Sequence, residues 1–523
     1  LLAIGTQLAY LLILDYIIVL ELLRLLLLRG DRESEGPRPR WIRAVLPYVL
    51  VALGFVAARI VLHNPGYRNN PATELGRWAD PSRVLALGPS LVDSVLESAV
   101  FAWSYPAWLV VEEGSARLVG VALLVGGLAA ALVGVRGWGA RKPADSERGL
   151  RPFIVIGVAT LVAVCLLMAV LHRCVALGNV MNRYAYPPAV GCCLFAIGVM
   201  SYLPRRLFVL AVAVLVGSAS AANVRNANDY RVAWRRQRAI YWQLAWRAPE
   251  IWPETTVVLL SPLKEQHSNH TALTGALNLA YTAPRERPLL GLGHDDETQA
   301  WMESGDGAAF LAREPFWVWT LTPRAGPRDG FNHFLALYLD PVSSTLRVLD
   351  SKHLEELPAR AGLAHSAARF SSQDRITGSG PRGIPTRQLF GPEPAHDWRW
   401  YFQRAELARQ SGQFGEAAQL GREVLKRDFS TPEPSEWLVF IEAAIRSQDE
   451  ATARAALRRG LASADRPSLR GFSRTLAKLA LDLPSPGREL ALQLEAQVDE
   501  ETSELDRLGT PGRLSESRNH EER

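Results

Sequence analysis

Residues 207–249 read LFVLAVAVLVGSASAANVRNANDYRVAWRRQRAIYWQLAWRAP and divide the chain. The first part, 207–222, is mostly apolar and long enough to be the last of a series of membrane spans. From Arg225 the composition changes. Arg225, Arg231, Arg235, Arg236 and Arg238 interleave with Tyr230, Trp234, Tyr241, Trp242 and Trp246. Aromatic rings at headgroup level, with arginines reaching for phosphates, make an interfacial helix, here placed over 223–250. Pro249 and Pro253 end it.

Upstream of this junction, apolar runs recur over 1–28, 44–62, 117–135, 153–171 and 187–203. Downstream of it there are none of that length. A chain of 523 residues with 48% hydrophobic and 21% charged residues is therefore two unlike halves. The expectation is a mostly α protein: a polytopic helical membrane domain (1–222), a small α/β domain (251–394), a tetratricopeptide-like helical region (395–490) and a charged, disordered tail (491–523). Leu1 lies within an apolar run, so the membrane domain reads as N-terminally incomplete. The net charge of +5, without a zinc-finger spacing or a basic tail, gives no nucleic-acid signal. Cys165, Cys174, Cys192 and Cys193 all lie in or beside apolar segments, so no disulfide framework is read.

Loops 29–43 and 136–151 carry five Lys or Arg each, and Arg205–Arg206 form a short basic turn. Placing these inside a multi-pass cell-membrane protein satisfies the positive-inside rule and puts residues 223–523 outside. The five arginines after the last span oppose that placement. Residues 84–111 are ambiguous as a span. Ser90, Asp93, Ser94, Glu97 and Ser98 recur at helical spacing and give one polar face, suited to a cavity or an interface.

The strand-like runs in the α/β part are TTVVLL (255–260), FWVWTLT (316–322), HFLALYL (333–339) and TLRVLD (345–350), the last two flanking a turn. In the helical part, Ala405, Ala408, Gly412, Phe414, Glu416 and Ala417 have the small-residue and turn spacing of a helix pair. A second, degenerate copy runs through Ala443, Ala444, Asp449, Ala451 and Ala453. Gln413 and Asp449 are 36 residues apart, near the 34-residue tetratricopeptide period. Such repeats bind protein or peptide partners.

Residues with chemistry concentrate between two spans, in HRCVALGNVMNRYAYPP (172–188). Arg173 and Arg183, with Tyr184 beside the latter, suit a lipid phosphate, because a guanidinium offers a planar and permanently charged fork. The same residues also fit a plain interfacial anchor. Intramembrane acids are functional candidates by default, which adds Asp15. Glu21 and Arg24, three apart, can neutralise each other. Asp93 and Glu97, four apart on one face, can line a cavity or simply be solvated. His267 and His270 lie near His294, Asp295, Asp296 and Glu297 but lack a zinc-protease spacing, so an exposed loop and no metal set are read there. His333 precedes a strand and reads as structural.

The element NRYAYPP (182–188) resembles the Arg-Tyr-x-x-x-Pro element of type C, protein O-mannosyltransferase-like membrane glycosyltransferases, some of which carry C-terminal tetratricopeptide repeats. A closer resemblance, on RQRAIYWQLAWRAPEIWPETTVVL (236–259) and LFGPEPAHDWRWYFQRAELARQSGQF (389–414), is to uncharacterised bacterial multi-span membrane proteins. The resemblance implies a polyprenyl-phosphate sugar as donor, a lipid-phosphate contact at Arg183, and a catalytic acid upstream of this chain. Relatives have an acidic residue before the arginine where this chain has Asn182, so no acid/base role passes to that position. No other cofactor is implied. The alternative is a non-catalytic, membrane-anchored interaction module with helical repeats.

Overall fold

The computed structural model describes isolated positions between 46 and 54, then residues 81–111, 115–139, 151–170, 175, 177, 185–253, 255–260, 270–281, 289–292, 333–377 and 385–507. The chain divides into two compact units, Leu1–Tyr230 and Arg231–Arg523.

In the first unit, helix α1 (Pro81–Leu96) passes through a π-helical turn (Glu97–Phe101) into α2 (Ala102–Val111). Pro106 lies inside α2 and donates no hydrogen bond to the turn before it. Helices α3 (Ala116–Gly139), α4 (Arg151–Val170), α5 (Tyr186–Met200) and α6 (Arg205–Arg247) follow. Among the described residues, four stretches are long and apolar enough to cross a membrane: Leu85–Val111, Ala116–Gly137, Pro152–Ala169 and Arg205–Arg247. The ambiguous run 84–111 is thus one of them, and α5 is shorter than the expected span 187–203. The chain is a membrane protein on this evidence.

Apolar helices have no hydrophobic reason to associate in lipid, so small residues let their backbones approach. A Cβ on Gly157 of α4 would lie 2.5 Å from the Phe195 nitrogen of α5, and one on Gly191 would lie 2.6 Å from the Leu161 nitrogen. Gly126 of α3 and Gly217 of α6 meet in the same way: a Cβ on Gly126 would lie 2.6 Å from the Gly217 carbonyl oxygen, and one on Gly217 2.8 Å from that of Gly126.

Helix α6 corrects one boundary. The expected break between a span and a separate interfacial helix at 222–223 does not exist; one helix runs for 43 residues. No glycine or proline interrupts it from Ser218 to Ala248, and Pro249 follows its end.

In the second unit, a short β1 (Glu250–Ile251) pairs with β6 (Ile376–Thr377). Among the described residues, a four-stranded sheet has the order β3 (Leu290–Leu292), β2 (Thr255–Leu260), β4 (His333–Leu339), β5 (Leu346–Val348). The first three are mutually parallel, and β4–β5 is the antiparallel hairpin expected from the sequence. All six residues of β2 are buried, as a parallel strand covered on both faces requires. Val257, Leu259, Leu335 and Leu337 pack with Leu273 and Leu277 of α7 (His270–Tyr281) and Leu244 of α6. The alternate residues Val258, Leu260, Phe334, Ala336 and Tyr338 pack on Ala364, Ala367 and Ala368 of α8 (Gly362–Ala368). Helix α7 and strand β3 were not anticipated. Residues 316–322 lie outside the described residues.

After the short α9 (Arg387–Phe390) come α10 (Trp398–Gln410), α11 (Phe414–Lys426), α12 (Leu438–Arg446), α13 (Glu450–Leu461), α14 (Arg466–Asp482) and α15 (Gly487–Arg507). They share one core around Trp437, Phe440 and Phe472. A disordered tail from 491 is corrected here. Helix α15 continues to Arg507, because Ala491, Leu494 and Val498 recur at helical spacing within an acidic run and are fully buried.

Candidate functional site

Of the residues singled out in the sequence, Asp15, Arg173, Arg183, Tyr184 and His267 lie outside the described residues, as do 294–297. His270 begins α7, and His333, the first residue of β4, is exposed. The polar face of α1 is split. Ser94 and Ser98 are buried, and their neighbours Leu91 and Val95 pack on Leu161, Cys165 and Cys192 of α4 and α5. Asp93 is exposed and Glu97 half-buried. Ser94 Oγ accepts from the Val175 backbone nitrogen at 3.4 Å.

The best-formed polar site among the described residues lies in the second unit, where β5, the 3-10 turn Ser351–Glu356 and α10 converge. Helix α10 makes this site by its periodicity. Phe402, Ala405 and Ala408 face the helical core. Gln403, Glu406, Arg409 and Gln410 follow one another at helical spacing on another face, and that face meets the sheet layer instead of water. Gln403, Glu406 and Arg409, with Arg347, His353 and Glu356, border a small pocket with an open mouth.

Arg409 is the hub. Its Nη1 donates to Glu356 Oε1 (2.7 Å) and Glu442 Oε2 (3.2 Å), and its Nη2 to Glu356 Oε2 (3.1 Å) and Glu406 (2.8 and 2.9 Å). Glu442 also accepts from Arg446 Nε at 2.7 Å. Arg247, at the end of α6, donates to Gln410 (2.7 Å) and Gln373 (3.2 Å). Arg347 donates to the Glu356 carbonyl (3.1 Å) and Ser435 Oγ (2.9 Å) and lies over the Phe402 ring at 5.5 Å.

Burial works against these charges, and for Glu406, Glu442 and Arg409 the partners outweigh it. Desolvation raises Glu406 and Glu442, but Arg409 opposes it, joined by Arg247 at Glu406 and Arg446 at Glu442, so both carboxyls sit below the usual range. Desolvation lowers Arg409, yet Glu356, Glu406 and Glu442 hold it well above its ordinary value. Burial also raises Asp350, but the His353 side chain and the Lys352 backbone N–H bring it down to about 2. Buried atoms without a hydrogen-bond partner remain: Arg347 Nε, Gln403 Oε1 and His353 Nδ1, the last 3.5 Å from Asp350 Oδ2.

Beside the hub, one ligand atom each from His353, Glu356 and Glu442 lie within 4.8 Å of one another, a spacing that a metal ion can bridge. The sequence reading missed this constellation. Its local signal was the Glu406-x-x-Arg409 pair on α10, which looks like the solvated face of an amphipathic helix until a second layer covers it.

No family model matches the chain, and neither a curated protein nor a solved structure matches it.

Proposed function

We propose that the chain is a membrane-anchored interaction module, with helices α10–α15 presenting a tetratricopeptide-like surface to a protein or peptide partner. The observation that carries this reading is a repeated turn. Gln413 N donates to the Ala408 carbonyl at 2.8 Å, and 36 residues on Asp449 N donates to the Ala444 carbonyl at 2.8 Å. The preceding residues, Gly412 (φ +71°) and Gln448 (φ +58°), both take the left-handed conformation. Two hairpins closed in the same way at the expected offset support a repeat built for stacking and binding. The buried charges support the same reading, since Arg409 and Arg247 are committed to ion pairs and hydrogen bonds within the chain, as in a rigid scaffold.

The test is direct binding: the full chain in lipid nanodiscs against a displayed library of short peptides. Saturable selection of a related peptide set, weakened by Arg404→Glu or Arg422→Glu on the exposed helix surfaces, supports the module. No selected peptide, or binding indifferent to both substitutions, overturns it.

A second reading, an enzyme of glycosyltransferase type using a polyprenyl-phosphate sugar, is favoured by one contact. The Ser94–Val175 hydrogen bond joins Val175, eight residues before Arg183 in the sequence, to the helix bearing Asp93. In that reading Arg183, Tyr184 and Arg173 hold the lipid phosphate, and the second unit faces the outer side of the membrane.

A further inference from the structure

We infer that His353, Glu356 and Glu442 form a divalent-cation site with a preference for zinc. The three come from two elements. His353 and Glu356 lie three apart on the 3-10 turn, and Glu442 comes from α12. His353 leaves the helical path there (φ −122°, ψ 35°), so its ring is set by the kink and not by the turn's own repeat. Their ligand atoms lie within 4.8 Å of one another. One imidazole nitrogen with two carboxylate oxygens suits zinc better than magnesium or calcium, which take mostly oxygen and more ligands.

The surroundings resemble those of a prepared site. Ligating carboxylates are normally held by outer hydrogen bonds. Here Arg409 grips both oxygens of Glu356, and Arg446 and Arg409 take one oxygen each of Glu442. Each carboxylate oxygen has two lone pairs, so these bonds leave room for a metal.

An independent observation points to the same place. Gln403 is fully buried, its Oε1 has no partner, and it lines the cavity that His353 and Glu356 also line. A buried carbonyl oxygen left unpaired is costly. A water on the ion's fourth position would give it a donor. Three protein ligands and one open position is the arrangement of a reactive zinc site, not a closed structural one.

The experiment uses the full chain in detergent, stripped with chelator, and zinc chloride or cobalt chloride as the probe. Calorimetry is expected to find one equivalent of zinc, undiminished by excess magnesium. Cobalt is expected to give the visible absorption of a four-coordinate ion. His353→Ala, at a partly exposed side chain, is expected to weaken zinc at least about tenfold and abolish the cobalt band, and the melting temperature of the metal-free variant is read beside it as a fold control. Glu442→Gln is expected to weaken zinc similarly. A surface control, Glu423→Gln, is expected to bind as wild type. No stoichiometric zinc on the wild type, or zinc binding unchanged in His353→Ala, overturns the site. Neither result bears on peptide binding, so the two proposals fail separately.

Discussion

Replacing Arg409 by methionine keeps much of the side chain's length and removes the charge at the centre of the second unit. The guanidinium is 6% exposed and makes five hydrogen bonds to Glu356, Glu406 and Glu442, whose side chains are 6–10% exposed. The variant leaves three carboxylates buried near one another with only Arg446, Arg247 and Arg347 at the edge. Breaking a buried pair from one side costs about 3–5 kcal/mol, because the partner's desolvation is no longer offset. At about 3 °C per kcal/mol for a unit of this size, the melting temperature of the full chain in detergent falls by roughly 10 °C, read by tryptophan fluorescence. Glu406→Gln in the Arg409→Met background is expected to recover part of the loss, giving a coupling of about 1–3 kcal/mol in a double-mutant cycle. A fall below about 1 kcal/mol, or strictly additive losses, would mean that water reaches these groups and the hub is not buried.

Trp437, 1% exposed and packed at 4.8 Å from Trp398 and 6.0 Å from Phe440, anchors the helical core; Trp437→Ala is expected to cost about 3–5 kcal/mol in thermal unfolding. Gly191→Val is expected to separate α4 from α5, since even a Cβ meets the Leu161 backbone nitrogen at 2.6 Å, and the readout is loss of the monodisperse species in detergent chromatography. Asp449 caps α13 through the Thr452 backbone N–H and hydroxyl. Burial raises its carboxyl, but those bonds and Arg422 hold it below the usual range. A depressed acid stabilises the fold above its unfolded pKa and loses that contribution as pH falls through its folded value. Asp449→Ala is therefore expected to cost about 1 kcal/mol at pH 7, with the gap from wild type closing under acid unfolding below the ordinary carboxylate range.

The sequence displayed what depends on local periodicity. The apolar runs, β2, the β4–β5 hairpin and the first helix pair were legible because each is written in one short continuous stretch of sequence. What escaped depends on partners far along the chain. The continuity of α6 was hidden by its change of composition at Arg225, which alters what the helix faces but not its backbone. Helix α15 was hidden by its acidic surface, although Ala491, Leu494 and Val498 mark its buried side. The polar hub was least legible. Glu356, Glu406, Arg409 and Glu442 span 86 residues, and only the covering of α10 by the sheet turns an ordinary charged face into a site.

The central claim is that the chain binds a partner and does not catalyse sugar transfer. It is tested most directly by reconstituting the full chain in liposomes with a radiolabelled polyprenyl-phosphate sugar and following label released to water or to added peptide. The account predicts release no faster than from protein-free liposomes, and the same for Arg183→Ala. Release by the wild type that disappears in Arg183→Ala, with membrane insertion intact, would contradict it and establish the enzyme.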